Sequence, residues 1–117
     1  VRVLDASAIL ALLLGEPGRE TVEECLTDGL LSSVNLAEII LRMAKERASV
    51  DATRRQVESL PLSVVPFTGA QAAAAAEIAA RHRRLGLGLA DCACIALAAE
   101  RGLPVLSVSA SGGARMH

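Results

Sequence analysis

The sequence is nearly without aromatic residues. Phe67 is the only one, and Trp and Tyr are absent. Hydrophobic residues still make up 52% of the 117 residues, against 21% charged residues, which is the composition of a folded domain and not of a disordered segment. The core must therefore be built from Leu, Val, Ile and Ala. A nucleic acid bound to this chain would find almost no aromatic side chain on which to stack its bases.

Three other features are weak or missing. The net charge is only -1, so the chain as a whole lacks the electrostatic signature of a nucleic-acid-binding protein. The three cysteines, Cys25, Cys92 and Cys94, form no CxxC motif, which favours free thiols in a reducing compartment. No apolar run approaches the roughly 18 residues of a membrane span. We therefore expect one cytoplasmic domain covering residues 1–117, with no membrane segment.

Alternation of short apolar strands with longer amphipathic helices predicts an α/β fold. The expected strands cover residues 1–4, 30–34, 62–65 and 103–108, and the expected helices cover 6–14, 19–26, 35–48, 51–59, 69–82 and 89–99. This order favours right-handed crossovers and a mostly parallel sheet of four to five strands flanked by helices. Residues 109–113 are expected to form a loose loop after the last strand, and His117 to lie at a disordered end.

Acidic and polar residues follow the predicted strands. Asp5 ends the first strand, Asn35 and Glu38 follow the second, Asp91 opens the helix before the last strand, and Ser109 follows the last strand. Ligands of parallel sheets bind at the carboxyl ends of the strands, so the three carboxylates are expected to meet there. Oxygen ligands without Cys or His favour Mg²⁺ or Mn²⁺, and such an ion suits chemistry on phosphodiesters.

Each acid also has an ordinary structural explanation. Asp5 could cap the helix that follows it. Asn35-Leu36-Ala37-Glu38 fits a capping box, and Asp91 lies three residues after Gly88, where an acid favours the helix dipole. The pattern alone leaves helix capping and metal binding equally open.

Three blocks of sequence, each containing one of the acids, resemble a known family. The blocks are Val3-Leu4-Asp5-Ala6-Ser7-Ala8, Ser32-Ser33-Val34-Asn35-Leu36-Ala37-Glu38 and Leu87-Gly88-Leu89-Ala90-Asp91-Cys92. Their order and spacing resemble those of PIN domains, most closely the VapC toxins of bacterial toxin–antitoxin pairs. The resemblance covers nearly the whole chain, including the Gly-Leu-Pro-Val-Leu segment at 102–106.

The resemblance implies a three-layer PIN-like fold and an endoribonuclease that depends on Mg²⁺ or Mn²⁺. Asp5, Glu38 and Asp91 match the metal-binding and catalytic acids of the family, and Ser7 and Asn35 match polar neighbours of the first two. It also implies an RNA substrate, a homodimer, and a VapB-like antitoxin that covers the active site.

One position departs from the family pattern. Members often carry a fourth acid just after the last strand, whereas this sequence has Ser107-Val108-Ser109-Ala110, so that Ser109 stands at the expected Asp. A Trp typical of the family shortly afterwards is also missing, with Gly112 nearby. Because a hydroxyl brings no charge, a second metal is in doubt. A module that binds antitoxin or RNA without cutting it is the alternative function.

Arginine-rich segments provide candidate contacts to RNA. Arg81, Arg83 and Arg84 lie between two predicted helices and just before Asp91, which favours contacts to phosphates. For Arg54 and Arg55 a solvated helix face is the favoured explanation, and His82, within the basic segment, is expected to be a surface residue.

Overall fold

The central sheet has five strands in the computed structural model, which describes residues 1–109 and 113–117. In chain order the strands are β1 Val3–Leu4, β2 Gly29–Ser32, β3 Leu62–Val65, β4 Val105–Val108 and β5 Ala114–Met116. They lie side by side in the order β3-β2-β1-β4-β5. The first four are parallel, and β5 pairs with β4 in the antiparallel direction. This confirms the predicted mostly parallel sheet.

Six α-helices connect and cover the strands in the described residues. They are α1 Ala6–Leu14, α2 Arg19–Cys25, α3 Ser33–Lys45, α4 Val50–Glu58, α5 Gly69–Arg81 and α6 Leu89–Arg101, with a 3₁₀ turn at Arg83–Leu85. Two of them end at a glycine in the left-handed conformation, Gly15 after α1 and Gly102 after α6, with φ values of 65° and 63°. Only glycine adopts this conformation without a steric penalty, so these two ends could be read from the sequence.

The core lies on both faces of the sheet, and β1 forms its centre. Val3 and Leu4 are fully buried, and successive strand residues point to opposite faces. Leu4 packs in a cluster with residues of α1, α2, α3 and α4, whereas Val3 packs with Cys94 and Leu97 of α6. Helices therefore cover both faces of the sheet, as the predicted three-layer α/β architecture requires.

The carboxyl-terminal segment differs from its prediction. Residues 114–116 form β5, which the sequence did not indicate, and His117 continues the pairing. Its backbone N–H donates to the Val105 carbonyl over 2.7 Å, and the Val105 N–H donates to the His117 carbonyl over 2.9 Å. The expectation of a disordered His117 is therefore wrong, because tertiary pairing with β4 holds it. Residues 110–112 of the predicted loop lie outside the described residues. They include Ala110 and Gly112, which were compared above with the family pattern.

Helix α3 begins two residues earlier than predicted. Ser32 is its N-cap, and the Ser32 hydroxyl accepts a hydrogen bond from the Val34 N–H over 3.2 Å. Asn35 and Glu38 therefore lie inside the helix, and the predicted capping box at these residues is wrong. Ser32 is both the last residue of β2 and the N-cap of α3, so no turn residues separate the strand from the helix and mark where the helix begins.

In the described part of the chain, no helix is long and apolar enough to cross a membrane. All three cysteines are free thiols, and Cys92 and Cys94 are buried.

Candidate active site

The three predicted acids line one pocket at the carboxyl edge of the parallel strands. Asp5 directly follows β1, Glu38 lies on α3 directly after β2, and Asp91 lies in the first turn of α6. The pocket has a volume of about 170 Å³, and its lining consists of Asp5, Ala6, Ser7, Leu10, Asn35, Glu38 and Asp91. The fold thus brings together residues from three distant parts of the sequence, including the two predicted polar neighbours.

Asp5 is held by hydrogen bonds from its own helix. Its Oδ1 atom accepts from the Ala8 N–H over 3.2 Å and from the Ser7 hydroxyl. The Ser7 Oγ atom in turn accepts from the Val108 N–H over 2.9 Å, which joins the start of α1 to the end of β4. Asp5 is therefore a helix cap and a lining residue of the pocket at once. Nothing in the sequence near Ser7 indicated the contact with Val108.

Asp91 and Glu38 are more exposed. The Asp91 Oδ2 atom accepts a hydrogen bond from the backbone N–H of Gly88, the N-cap of α6, over 3.1 Å, so Asp91 also helps to cap its own helix. Glu38 makes no capping contact. Capping and metal binding are thus compatible for Asp5 and Asp91, since each side chain uses one carboxylate oxygen in its cap and the pocket is lined by the same group.

Asn35 has an unusual environment beside these acids. It is 1% exposed, and its Nδ2 group donates to the Ala90 carbonyl over 3.1 Å, which links α3 to α6. Its Oδ1 atom is buried and has no hydrogen-bond partner among the described residues. A buried oxygen without a partner costs about 1–3 kcal/mol, so a pocket that keeps one suits a cation or a water molecule.

The acids affect one another electrostatically. Burial raises the pKa of Asp5, the hydrogen bonds from Ser7 and Ala8 oppose this rise, and the charge of Asp91 adds to it. Burial also raises the pKa of Glu38, where the amide of Asn35 opposes the rise and the charges of Asp91 and Asp5 increase it. Like charges in a partly desolvated pocket favour proton uptake, and a cation relieves the same repulsion.

The charges of the same three acids also affect the buried thiol of Cys94. Burial raises the pKa of the Cys94 thiol to about 12, and the charges of Asp5, Asp91 and Glu38 all contribute to the rise. The negative potential of all three acids therefore reaches one buried point between β1 and α6.

The donor set fits a hard divalent cation in its chemistry. Three carboxylates and the side-chain amide of Asn35 line the pocket, and carboxylate and amide oxygens are ligands that Mg²⁺ and Mn²⁺ prefer. Within residues 1–109 and 113–117, however, no group of three or more Asp, Glu, His or Cys side chains is already close enough to hold an ion. The pocket thus brings the three acids to one edge of the sheet without closing them around one point.

Ser109 lies outside this pocket. It lines an adjoining cavity of about 340 Å³ together with Ser7 and Arg42. Its Oγ atom accepts from the Gly113 N–H over 3.3 Å, and its N–H donates to the Gly113 carbonyl over 2.9 Å. Ser109 therefore borders the site through Ser7 and is part of the connection between β4 and β5.

The three candidate RNA-binding arginines are exposed, and they differ in their contacts. Arg81 forms an ion pair with Glu77 over 2.6 Å along α5. Arg83 and Arg84 lie in the 3₁₀ turn that precedes α6, and the described residues provide no ion-pair partner for either. On α4, Arg54 pairs with Glu58 and Arg55 with Asp51, as expected for a solvated helix face.

Two residues near the acids escaped the sequence analysis. Ser107 and His117 line a cavity of about 400 Å³ to which Asp5 and Asp91 also contribute. The sequence did not indicate β5, and the position of His117 depends on the pairing of this strand with β4.

Fold and site together define a class of α/β protein with an acidic pocket at the carboxyl edge of a parallel sheet. The chain belongs to the PIN domain family, whose model matches residues 2–108. No curated protein matches the chain.

Solved structures similar to this chain include proteins of toxin–antitoxin systems. VapC20 of Mycobacterium tuberculosis, described as a toxin that cleaves the sarcin–ricin loop, is 17% identical with a TM-score of 0.80, over 94% of this chain and 91% of that one. A toxin–antitoxin complex from Klebsiella pneumoniae is 16% identical with a TM-score of 0.71, over 96% and 89%. VapBC2 from Rickettsia felis, bound to a DNA fragment from its promoter, is 17% identical with a TM-score of 0.67, over 94% and 89%. At these identities the likeness shows the PIN-like fold.

Proposed function

We propose that this PIN domain, spanning residues 1–117, is a VapC-type toxin that hydrolyses RNA phosphodiester bonds with Mg²⁺ or Mn²⁺ held by Asp5, Glu38 and Asp91. The observation that carries this proposal is the pocket shared by the three acids and Asn35, whose buried Oδ1 atom has no hydrogen-bond partner among the described residues. The similarity to VapC20, a toxin described as cutting RNA of the sarcin–ricin loop, supports RNA as the substrate.

Asp5, Glu38 and Asp91 would hold a divalent cation in this pocket, which would supply Lewis-acid stabilisation of the charge that develops on a phosphodiester. The chain supplies the positioning. Ser7 fixes one oxygen of Asp5 and anchors it to β4, and Asn35 joins α3 to α6 so that Glu38 and Asp91 face the same pocket. We propose that the exposed Arg83 and Arg84, in the turn before α6, attract the RNA backbone together with Arg81 at the end of α5.

The test is cleavage of structured RNA by the purified protein with Mn²⁺ or Mg²⁺, compared with EDTA. Asp5→Asn is the informative variant, because the amide oxygen still accepts from the Ala8 N–H and preserves the cap while the charge is lost. Asp28→Asn is the matched control. Asp28 is exposed, precedes β2 at the opposite edge of the sheet, and has a φ of 61° that Asn tolerates.

We expect cleavage with metal in the wild-type protein and in Asp28→Asn, and its loss in Asp5→Asn and in EDTA. Cleavage that persists in EDTA and in Asp5→Asn would contradict the metal mechanism. Binding of Mn²⁺ without cleavage would support the alternative, a module that binds antitoxin or RNA. Two observations favour testing this alternative, the serine at position 109 and the lack of a closed ligand group in the described residues.

The proposed partners follow from the same assignment. A VapB-like antitoxin is supported by the two similar structures that are toxin–antitoxin complexes. A homodimer in the cytoplasm is the expected state of the free protein, and light scattering after size exclusion measures it. A monomer at micromolar concentration would contradict the dimer without affecting the proposed chemistry.

A further inference from the structure

A second cavity opens beside the acid pocket on the face of the sheet that α6 covers. Its volume is about 400 Å³, and it shares Asp5 and Asp91 with the acid pocket. Leu87, Ile95 and Val105 contribute apolar walls, while Ser107 and His117 contribute polar groups. Apolar walls with a few fixed polar groups are typical of sites that bind flat organic ligands.

His117 is held firmly at this cavity. Its backbone exchanges two hydrogen bonds with Val105, of 2.7 Å and 2.9 Å. Its Nε2 atom lies 2.8 Å from the Ser107 Oγ atom, with which it shares a hydrogen bond. The side chain is nevertheless exposed, so the imidazole is both positioned and accessible.

We propose that this cavity binds a nucleobase of the RNA, the one next to the phosphodiester at the acids, an inference that rests on the proposed function. The shared Asp5 and Asp91 place the cavity directly beside the acid pocket, so a base attached to the neighbouring nucleotide can enter it. A base has two apolar faces and a polar edge. The apolar walls suit its faces, and the Ser107 hydroxyl and the imidazole suit its edge.

The composition of the chain strengthens this assignment to His117. Proteins that read single-stranded RNA bind splayed bases with aromatic rings, including His, and with hydrogen bonds to base edges. Trp and Tyr are absent here, and Phe67 packs against the interior cluster of Ala75 and Cys92. His117 is thus the ring that the structure places at the acids.

Sequencing of cut sites in a random-sequence RNA pool, cleaved with Mn²⁺, tests the inference. We expect the wild-type protein to prefer certain bases at one position flanking the cut. His117→Ala should weaken this preference about tenfold, which corresponds to the loss of one hydrogen bond to the edge of the base. His117→Gln retains a hydrogen-bonding amide and should restore part of it. His82→Ala is the matched control, because His82 is exposed at the end of α5 and lines none of the cavities around the acids.

A second variant tests the cavity itself. Ile95→Trp should fill the space and lower kcat/KM for every RNA while the wild-type protein and His82→Ala remain alike. Thermal unfolding of each variant separates these effects from loss of the fold. An unchanged base preference in His117→Ala would overturn the inference and leave the proposed function intact.

A wild-type protein that cuts no RNA would instead overturn the proposed function. Binding of fluorescent oligo-A, oligo-C, oligo-G and oligo-U in EDTA then decides the inference separately. Discrimination among the four that disappears in His117→Ala would support the base site. Equal binding of all four by the wild-type protein, or no binding, would refute it.

Discussion

Asp5 and Glu38 line the same pocket and are held there in different ways. Asp5 is half-buried, follows a fully buried strand, and accepts hydrogen bonds from Ser7 and Ala8. Glu38 is exposed on α3, and a hydrogen bond with the Asn35 side chain opposes the rise of its pKa. Asp5 is therefore held by local hydrogen bonds before any ligand arrives, whereas Glu38 is exposed. The two acids of one pocket thus differ in how strongly the surrounding fold constrains them.

Substitution of Glu38, an exposed acid of the pocket, should have the largest effect on activity. Glu38→Gln keeps the shape and removes the charge, so we expect cleavage to fall by about 100-fold or more, since even outer partners of metal ligands contribute about 10–100-fold. Stability in EDTA should hardly change because Glu38 is exposed. Mn²⁺ at 100 times its Kd stabilises a protein by about 2.7 kcal/mol, and Glu38→Gln should lose most of this gain in thermal unfolding.

The control for Glu38→Gln is Glu58→Gln on α4, an exposed acid paired with Arg54. It should retain both cleavage and the stabilisation by Mn²⁺. Full stabilisation of Glu38→Gln by Mn²⁺ would show that Glu38 takes no part in metal binding.

Loss of the Ser7 hydroxyl, which anchors Asp5 to β4, should affect stability as well as activity. Ser7→Ala removes the hydroxyl that donates to Asp5 and accepts from the Val108 N–H, which leaves a partly buried donor unpaired. We expect a loss of about 1–3 kcal/mol in the free energy of unfolding and a loss of about 10–100-fold in cleavage. Chemical denaturation and RNA cleavage measure the two effects. Ser63→Ala, at an exposed position of β3, should change neither.

The pH dependence of stability in EDTA should distinguish Asp5 and Glu38, whose pKa values are raised, from ordinary surface acids. Because the pKa values of folded Asp5 and Glu38 lie above their ordinary values of 3.8 and 4.5, folding favours their protonated forms. This contribution to stability is complete below those ordinary values and is lost as the pH rises through the raised ones. Asp5→Asn should therefore lose less stability than the wild-type protein over this rise, as followed by thermal unfolding from pH 3 to 7. Parallel curves would contradict the raised pKa of Asp5.

The smallest effect is expected at Ser109. Ser109→Asp restores the charge that the family pattern has there, but Ser109 lines the adjoining cavity with Ser7 and Arg42, outside the acid pocket. A partly exposed charge contributes about 1 kcal/mol or less, so we expect Mn²⁺ affinity to rise by less than about fivefold. Isothermal titration with Mn²⁺ measures this change. A rise of 100-fold, or a second equivalent of bound Mn²⁺, would show that the missing acid limits the site.

Much of the fold could be predicted because local signals agree with it. The bounds of α1 and β3 match the prediction, since α1 lies between an acid cap and Gly15, and β3 between Pro61 and Pro66. The start of α3 was missed because Ser32 ends a strand and caps a helix in the same residue. Strand β5 was missed because its alternation of apolar and polar residues, Ala114-Arg115-Met116, is too short to indicate a strand.

The sequence by itself determined the alternation of strands and helices, the position of Asp5 and Glu38 just after strands and that of Asp91 at the start of a helix, because helix caps, glycine stops and hydrophobic periodicity are local. It predicted that the three acids meet, and the tertiary structure decided that they share a pocket with Asn35, that Ser7 anchors Asp5 to β4, and that His117 lines a cavity with Asp91. Each of these contacts joins segments far apart in the chain. Such pairings depend on the order of strands in the sheet, which no local pattern encodes.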